Sequence, residues 1–233
     1  MIGIARLGAI PILVSDRRDD ELAALVAGYS KARLEVYLRQ VNADPDRTWA
    51  LIVWERRVAP ALWTDIAHCE VIVRNAIHRS LQTQAGSSDW HDRLPQLGIR
   101  GADRARVADV VQRLHDAHRP VTVDGVTAAL SLTFWTNLVG PSYDRTLWRN
   151  GLAASFSRAP RREVHAAMER VKALRNAIAH HAALIKDNRT ESSEERLRRG
   201  LTAAHGLIRR TTPAALADLV CSGDTAAVIA QRP

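Results

Sequence analysis

Two cysteines in the whole chain, Cys69 and Cys221, cannot build a disulfide framework, and there is no CxxC pair or Cys/His cluster at zinc spacing. Neither a structural metal nor a cofactor is indicated, and a reducing cytoplasm is the default compartment. No apolar run is long enough to span a bilayer. The stretch Met1–Ser15 is mostly apolar but too short, and it lacks a signal-peptide cleavage pattern, so it reads as a packed arm or an artefact of start-site choice. Strand signals are almost missing. Val121-Thr122-Val123 is the only strand-like triplet outside the helical patterns, and Asp124-Gly125 turns it into the next helix, so no sheet can be built from it. Lysine is scarce as well, with only Lys31, Lys172 and Lys186. No alternation of aromatic and basic residues suggests stacked bases, and the few aromatics are spaced for core packing.

What is present is arginine and helical periodicity. The formal charge is +8 and 46% of the residues are hydrophobic, ample for a buried core. Arginine offers a bidentate fork to phosphate, which suits a nucleic-acid partner, although a GC-rich coding bias produces the same excess. Leu22, Leu25, Val26, Tyr29, Leu34 and Leu38 predict a first helix over Asp19–Gln40, closed by Asp44-Pro45-Asp46. A longer helix is expected over Arg47–Gln84, bent or split at Pro60, with Leu51, Trp54, Val58, Leu62, Ile66, Cys69, Val73 and Ile77 facing one way.

On that dial Glu70 falls between Ile77 and Trp63, inside the apolar stripe, where a carboxylate needs a partner. It either orients a guanidinium at a site or forms a plain intrahelical pair with Arg74. His78 lies on the same flank as a candidate second imidazole. The loop from Gly86 to Gly101 carries Trp90, His91 and Arg93, whose expected role is to pin the loop. Ala102–His118 and Ala128–Leu138 follow as helices, and Ser142 is placed to cap a short one through Trp148. A run from Glu191 to about Arg210 and a last helix from Pro213 complete the chain.

Chemistry is concentrated in Arg175-Asn176-Ala177-Ile178-Ala179-His180-His181, within a run from Arg161 to Ile185 that has no Gly or Pro after Pro160. At about 100° per residue, Val171, Leu174, Ile178, Ala182 and Ile185 form one stripe. The opposite face carries Ala166, Ala173, Ala177, Ala183 and Leu184 with Asn176 and His180 among them. A helix apolar on both sides is usually sandwiched, so Asn176 and His180 are expected to face a partly dry crevice, closed by the chain or by a second copy. An arginine and a histidine there are what metal-free phosphodiester cleavage requires. The same residues near a helix C-terminus can instead satisfy carbonyls and complement the dipole, and periodicity alone ranks that reading first.

The spacing of Arg175, Asn176 and His180 resembles the signature of the HEPN superfamily. His68-Cys69-Glu70-Val71-Ile72-Val73-Arg74-Asn75-Ala76 resembles the second hallmark of its Abi-like (abortive infection) branch, a glutamate followed by an Arg-Asn pair. Phe134-Trp135 and Tyr143-Asp144-Arg145-Thr146-Leu147-Trp148 are similar to the aromatic landmarks between them, and together these motifs cover roughly Pro45 to Ile185.

The resemblance implies an all-α, HEPN-like helical bundle over residues 1–190, with added N- and C-terminal helices, the latter in an extension over 191–233. It implies catalytic roles for Arg175 and His180, and supporting roles for Asn176, His181, Glu70, Arg74 and Asn75. The activity implied is metal-independent endoribonucleolytic cleavage in phage defence or as a toxin, with RNA as partner, a homodimer and an antitoxin as companions, and no membrane. The alternative within the superfamily is a non-catalytic RNA- or nucleotide-binding module. An all-α DNA-binding regulator ranks last, because no helix-turn-helix with a basic recognition helix is evident.

Overall fold

The structure is a computed structural model that describes residues 3–7, 10–14, 18–185 and 191–233, with side-chain surroundings from residue 23 onward. The protein is all-α apart from one antiparallel hairpin, β1 (Gly3–Leu7) and β2 (Ile10–Val14), whose register pairs Gly3 with Val14 and Leu7 with Ile10. The expected first helix is two, α1 (Arg18–Tyr29) and α2 (Lys31–Gln40), separated where Ser30 turns to φ 68.

Next comes α3 (Pro45–Ala85), 41 residues long, with the expected apolar stripe buried along its whole length. Pro60 does not split it. Both Pro60 and Arg56, whose carbonyl loses its intrahelical donor, lie on the exposed side, so solvent can satisfy the freed group. The helices α4 (Gly101–Asp116), α5 (Val123–Ala129) and α6 (Leu132–Leu138) follow. The strand-like triplet is thus the start of α5, and Thr122 caps it by accepting from the Gly125 N–H at 3.1 Å. The single helix expected over Ala128–Leu138 is interrupted at Leu130-Ser131.

Ser142 makes no capping bond. It lies in a 3₁₀ turn, Pro141–Tyr143, which runs into a π-helical stretch, Asp144–Leu152, and one further turn, α7 (Ala153–Ser155). The last long elements are α8 (Arg161–Ala179) and α9 (Ser193–Thr211). At the start of α9, Ser192 Oγ accepts from the Glu195 N–H while Glu195 Oε2 accepts from the Ser192 N–H, a capping box. The tail forms α10 (Ala214–Val220) and an additional α11 (Thr225–Ala230).

The chain divides into two compact units. Unit one comprises Met1–Thr64, Leu174–Arg199 and Gly223–Pro233; unit two comprises Asp65–Ala173 and Gly200–Ser222. In unit one the C-terminal segment is tied by Trp54 Nε1 donating to Val228 O at 3.2 Å, and by Arg57 and Arg232 donating to the side-chain oxygens of Gln231 and Gln40.

Unit two is built on aromatics. Trp90, Phe134 and Trp135 are fully buried, with Phe134 and Trp135 edge to face at 4.9 Å. Its polar hub is Asp103, which accepts from Tyr143 Oη, Asn137 Nδ2 and Arg106 at 2.8–2.9 Å. Burial and the hydrogen bond to Asp103 push the Tyr143 hydroxyl up to about 12.

His78 is not a site residue. It is buried, and its Nδ1 lies 3.0 Å from both Trp90 Nε1 and Thr127 Oγ1. Because indole N–H can only donate, Nδ1 must be the unprotonated nitrogen, and the ring is neutral with its proton on Nε2. Burial lowers the His78 pKa, opposed by Asp124 and assisted by Arg79 and Arg74.

The native state therefore resists a proton that the unfolded chain takes up near pH 6.5. The stability from a neutral His78 is full above that pH and is lost as pH falls below it. Urea denaturation at pH 7.5 and 5.5 is expected to show a drop in stability that His78→Gln, which keeps an acceptor for Trp90 but cannot titrate, reduces. Equal drops in the two proteins would contradict this assignment.

Candidate functional site

Of the apolar stripe expected over the run from Arg161 to Ile185, Val171, Leu174 and Ile185 are buried, Ile178 is half-buried and Ala182 is exposed. Val164, Met168, Val171 and Leu174 form the buried stripe, and Pro160 sets the first turn by accepting from the Glu163 and Val164 N–H groups. The helix stops at Ala179 rather than continuing to Ile185; the stop expected at Asp187-Asn188 lies outside the described residues. The His181 N–H donates to Ile178 O at 3.0 Å and the Ala182 N–H to Ala177 O at 2.8 Å, while His181 takes φ 52. These two bonds with a left-handed residue between them are the Schellman cap, in which glycine is the usual occupant and no Cβ has to be accommodated.

The exit from the cap is tightly held. Arg33 donates to His181 O and Arg196 donates to Leu184 O. The backbone N–H groups of Leu184 and Ile185 donate to Glu55 Oε2 at 2.8 and 3.4 Å, and Tyr37 Oη donates to Glu55 Oε1 at 2.8 Å. Glu55 is only 8% exposed. Burial pushes the Tyr37 hydroxyl well above its ordinary value, and the Glu55 charge and hydrogen bond add to the effect. These residues, all in unit one, fix the direction of the chain as it leaves the motif.

The motif residues differ in exposure. Arg175 is half-buried, with its guanidinium carbon 5.9 Å from the ring centroid of Trp63, within cation–π range. Asn176, His180 and His181 are exposed, as are Ala173 and Ala182. Among the described residues, nothing closes the dry crevice expected around Asn176 and His180. The helix ends at that level, so the residues meant to continue the second apolar face, Ala183 and Leu184, lie on the irregular segment that leaves it instead.

Glu70, Arg74 and Asn75 lie in unit two and are half-buried. Glu70 is not sealed within an apolar stripe, because Trp63, on the same flank, is 40% exposed. One Arg74 atom, Nε, is buried with no hydrogen-bond partner among the described residues. The structure thus groups Arg175, Asn176, His180 and His181 with Trp63 in unit one, and Glu70, Arg74 and Asn75 in unit two.

Sequence reasoning missed Glu55 and Trp63 as supports of the motif. The helical dial carried a signal for Glu55, which lies about 20° from Leu62, the same offset that drew attention to Glu70 beside Ile77.

Among the described residues, no three His, Cys, Asp or Glu side chains are grouped to hold a metal ion, and no helix is long and apolar enough to cross a membrane. Comparison with protein-family models, curated proteins and solved structures finds no match for this chain.

A non-glycine residue in the left-handed region costs about 1 kcal/mol relative to glycine. His181→Gly keeps the backbone carbonyl that Arg33 uses and is expected to raise stability by roughly 0.5–1 kcal/mol, read from denaturant midpoints at constant slope. A loss of stability would show that the imidazole itself holds the turn.

Proposed function

We propose that the chain is a metal-independent endoribonuclease whose chemistry is carried by Arg175 and His180. The supporting observation is that unit one presents an arginine braced on Trp63 and, five residues on at the capped end of the same helix, an exposed imidazole. In this reading the ribose 2′-oxygen attacks the adjacent phosphorus and the P–O5′ bond breaks, leaving a 2′,3′-cyclic phosphate and a 5′-hydroxyl. His180 takes the 2′-hydroxyl proton. His181, next in the chain and also exposed, is the group available to protonate O5′. Arg175 neutralises the charge that develops on the phosphorane oxygens. Glu70, Arg74, Asn75 and Asn176 are supporting residues. The resemblance to Abi-like HEPN proteins adds phage defence or toxin action in the cytoplasm, with a neutralising antitoxin as the companion to seek.

One observation favours the second reading, an RNA- or nucleotide-binding module that does not cut. Asn176 and His180 are in open solvent, where preorganised charge stabilisation is weakest. Cleavage therefore requires that something cover the end of α8, and we assign that part to a second copy of the chain, which brings its own Arg175 to this copy's His180 so that each site is shared between the two chains. Mixing Arg175→Ala and His180→Ala chains should then restore part of the activity.

His180→Ala is expected to lower RNA cleavage by about two to four orders of magnitude with little change in RNA affinity. Arg175→Lys, which keeps the charge but loses the planar fork, should harm cleavage nearly as much as Arg175→Ala. Cleavage by His180→Ala at the wild-type rate would rule out this assignment.

A further inference from the structure

Unit two contains a cavity of about 360 Å³ whose lining includes Arg79, Ser155, Arg210, Thr211, Thr212 and Pro213, the remainder being two alanines. Two arginines and three hydroxyl-bearing residues line it, and no carboxylate is part of the wall. Arg79, on α3, is exposed and forms no salt bridge among the described residues. Arg210, in the last turn of α9, is 3.6 Å from Glu163 across largely exposed side chains, a weak pair. Neither cation is strongly neutralised by the protein.

A helix C-terminus ordinarily repels an anion, because its last carbonyls carry partial negative charge. Here two of those carbonyls, of Ile208 and Arg210, already accept from side-chain hydroxyls. Thr211 Oγ1 donates to Leu207 O and Ile208 O at 2.8 and 3.2 Å, and Ser157 Oγ donates to Arg210 O at 2.9 Å. The Ser155 hydroxyl reaches Ala76 O only at 3.5 Å, and Thr212 makes no side-chain hydrogen bond among the described residues, so both hydroxyls can turn to a ligand. Small side chains keep the floor open: Ala76 and Ala154 leave room beside the two guanidinium forks.

We propose that this cavity is a phosphate-binding site that takes a backbone phosphate of single-stranded nucleic acid. Arginine forks match phosphate oxygens in bidentate geometry, hydroxyls complete the shell, and the volume suits a nucleotide-sized group. The net charge of +8 favours a polyanionic ligand over a free metabolite. The site stands independently of whether Arg175 and His180 cut RNA.

The test uses the full chain and a fluorescent deoxyuridine oligonucleotide, which lacks the 2′-hydroxyl and cannot be cleaved by the proposed chemistry. Arg79→Ala and Arg210→Ala should each weaken binding roughly tenfold, and the double variant roughly a hundredfold. Each should also lower the slope of log affinity against log salt by about 0.7. Inorganic phosphate should compete with the oligonucleotide. The same losses should appear in the His180→Ala background, which separates this site from the cleavage reading. Unchanged thermal melting of the variants excludes unfolding as the cause. Binding by the double variant at wild-type strength, no competition by phosphate, no oligonucleotide binding by the wild type, or arginine-dependent binding to anionic phospholipid vesicles alone would each overturn the proposal.

Discussion

A carboxylate removed from water is costly unless donors meet both oxygens. Glu55 satisfies that condition with three: the Tyr37 hydroxyl on one oxygen and the backbone N–H groups of Leu184 and Ile185 on the other. Two of these donors belong to the segment that leaves α8, so the constraint works in both directions. The acid is tolerated inside because the chain turns toward it, and the chain turns because those two N–H groups have no helical partner once α8 has ended. With Arg196 holding the Leu184 carbonyl and Arg33 holding that of His181, the exit is fixed from both sides. The display of His180 and His181 at the end of the helix follows from this arrangement.

The same region shows what the sequence could and could not tell. The apolar period of α8 through Leu174 and that of α3 from Leu51 to Ile77 were legible because each buried position recurs at three- or four-residue steps. The end of α8 was not, because the residue that terminates it is histidine, and a left-handed C′ position is announced in a sequence only when glycine or asparagine occupies it. Glu55 and Glu70 have the same angular claim to burial, yet one is sealed and the other half-open. Side-chain and backbone donors contributed by distant segments decide between them, and no local pattern carries that information.

Two further differences have the same character. The N-terminal hairpin was hidden by Pro11, which argues against a central strand but is allowed where both strands are edges. His78 looked available beside the second motif until Trp90, twelve residues later, donated its indole N–H to it. The pinning role read for that loop was legible, since a lone tryptophan amid Gly, Ser and Asp has little other use. Its partner was not. The candidate motif was readable only as residue types at a spacing, and the exposure of Asn176 and His180 was not readable, because it depends on where the helix stops.

The chemistry of the cut ends tests most directly the proposal that metal-independent RNA cleavage occurs at the end of α8. RNA incubated with the purified chain in excess EDTA should be cleaved to fragments ending in 2′,3′-cyclic phosphate with 5′-hydroxyl partners. The His180→Ala protein from the same preparation should yield these fragments at no more than background. Fragments carrying 3′-hydroxyl and 5′-phosphate ends, or cleavage abolished by EDTA and restored by a divalent cation, would contradict it.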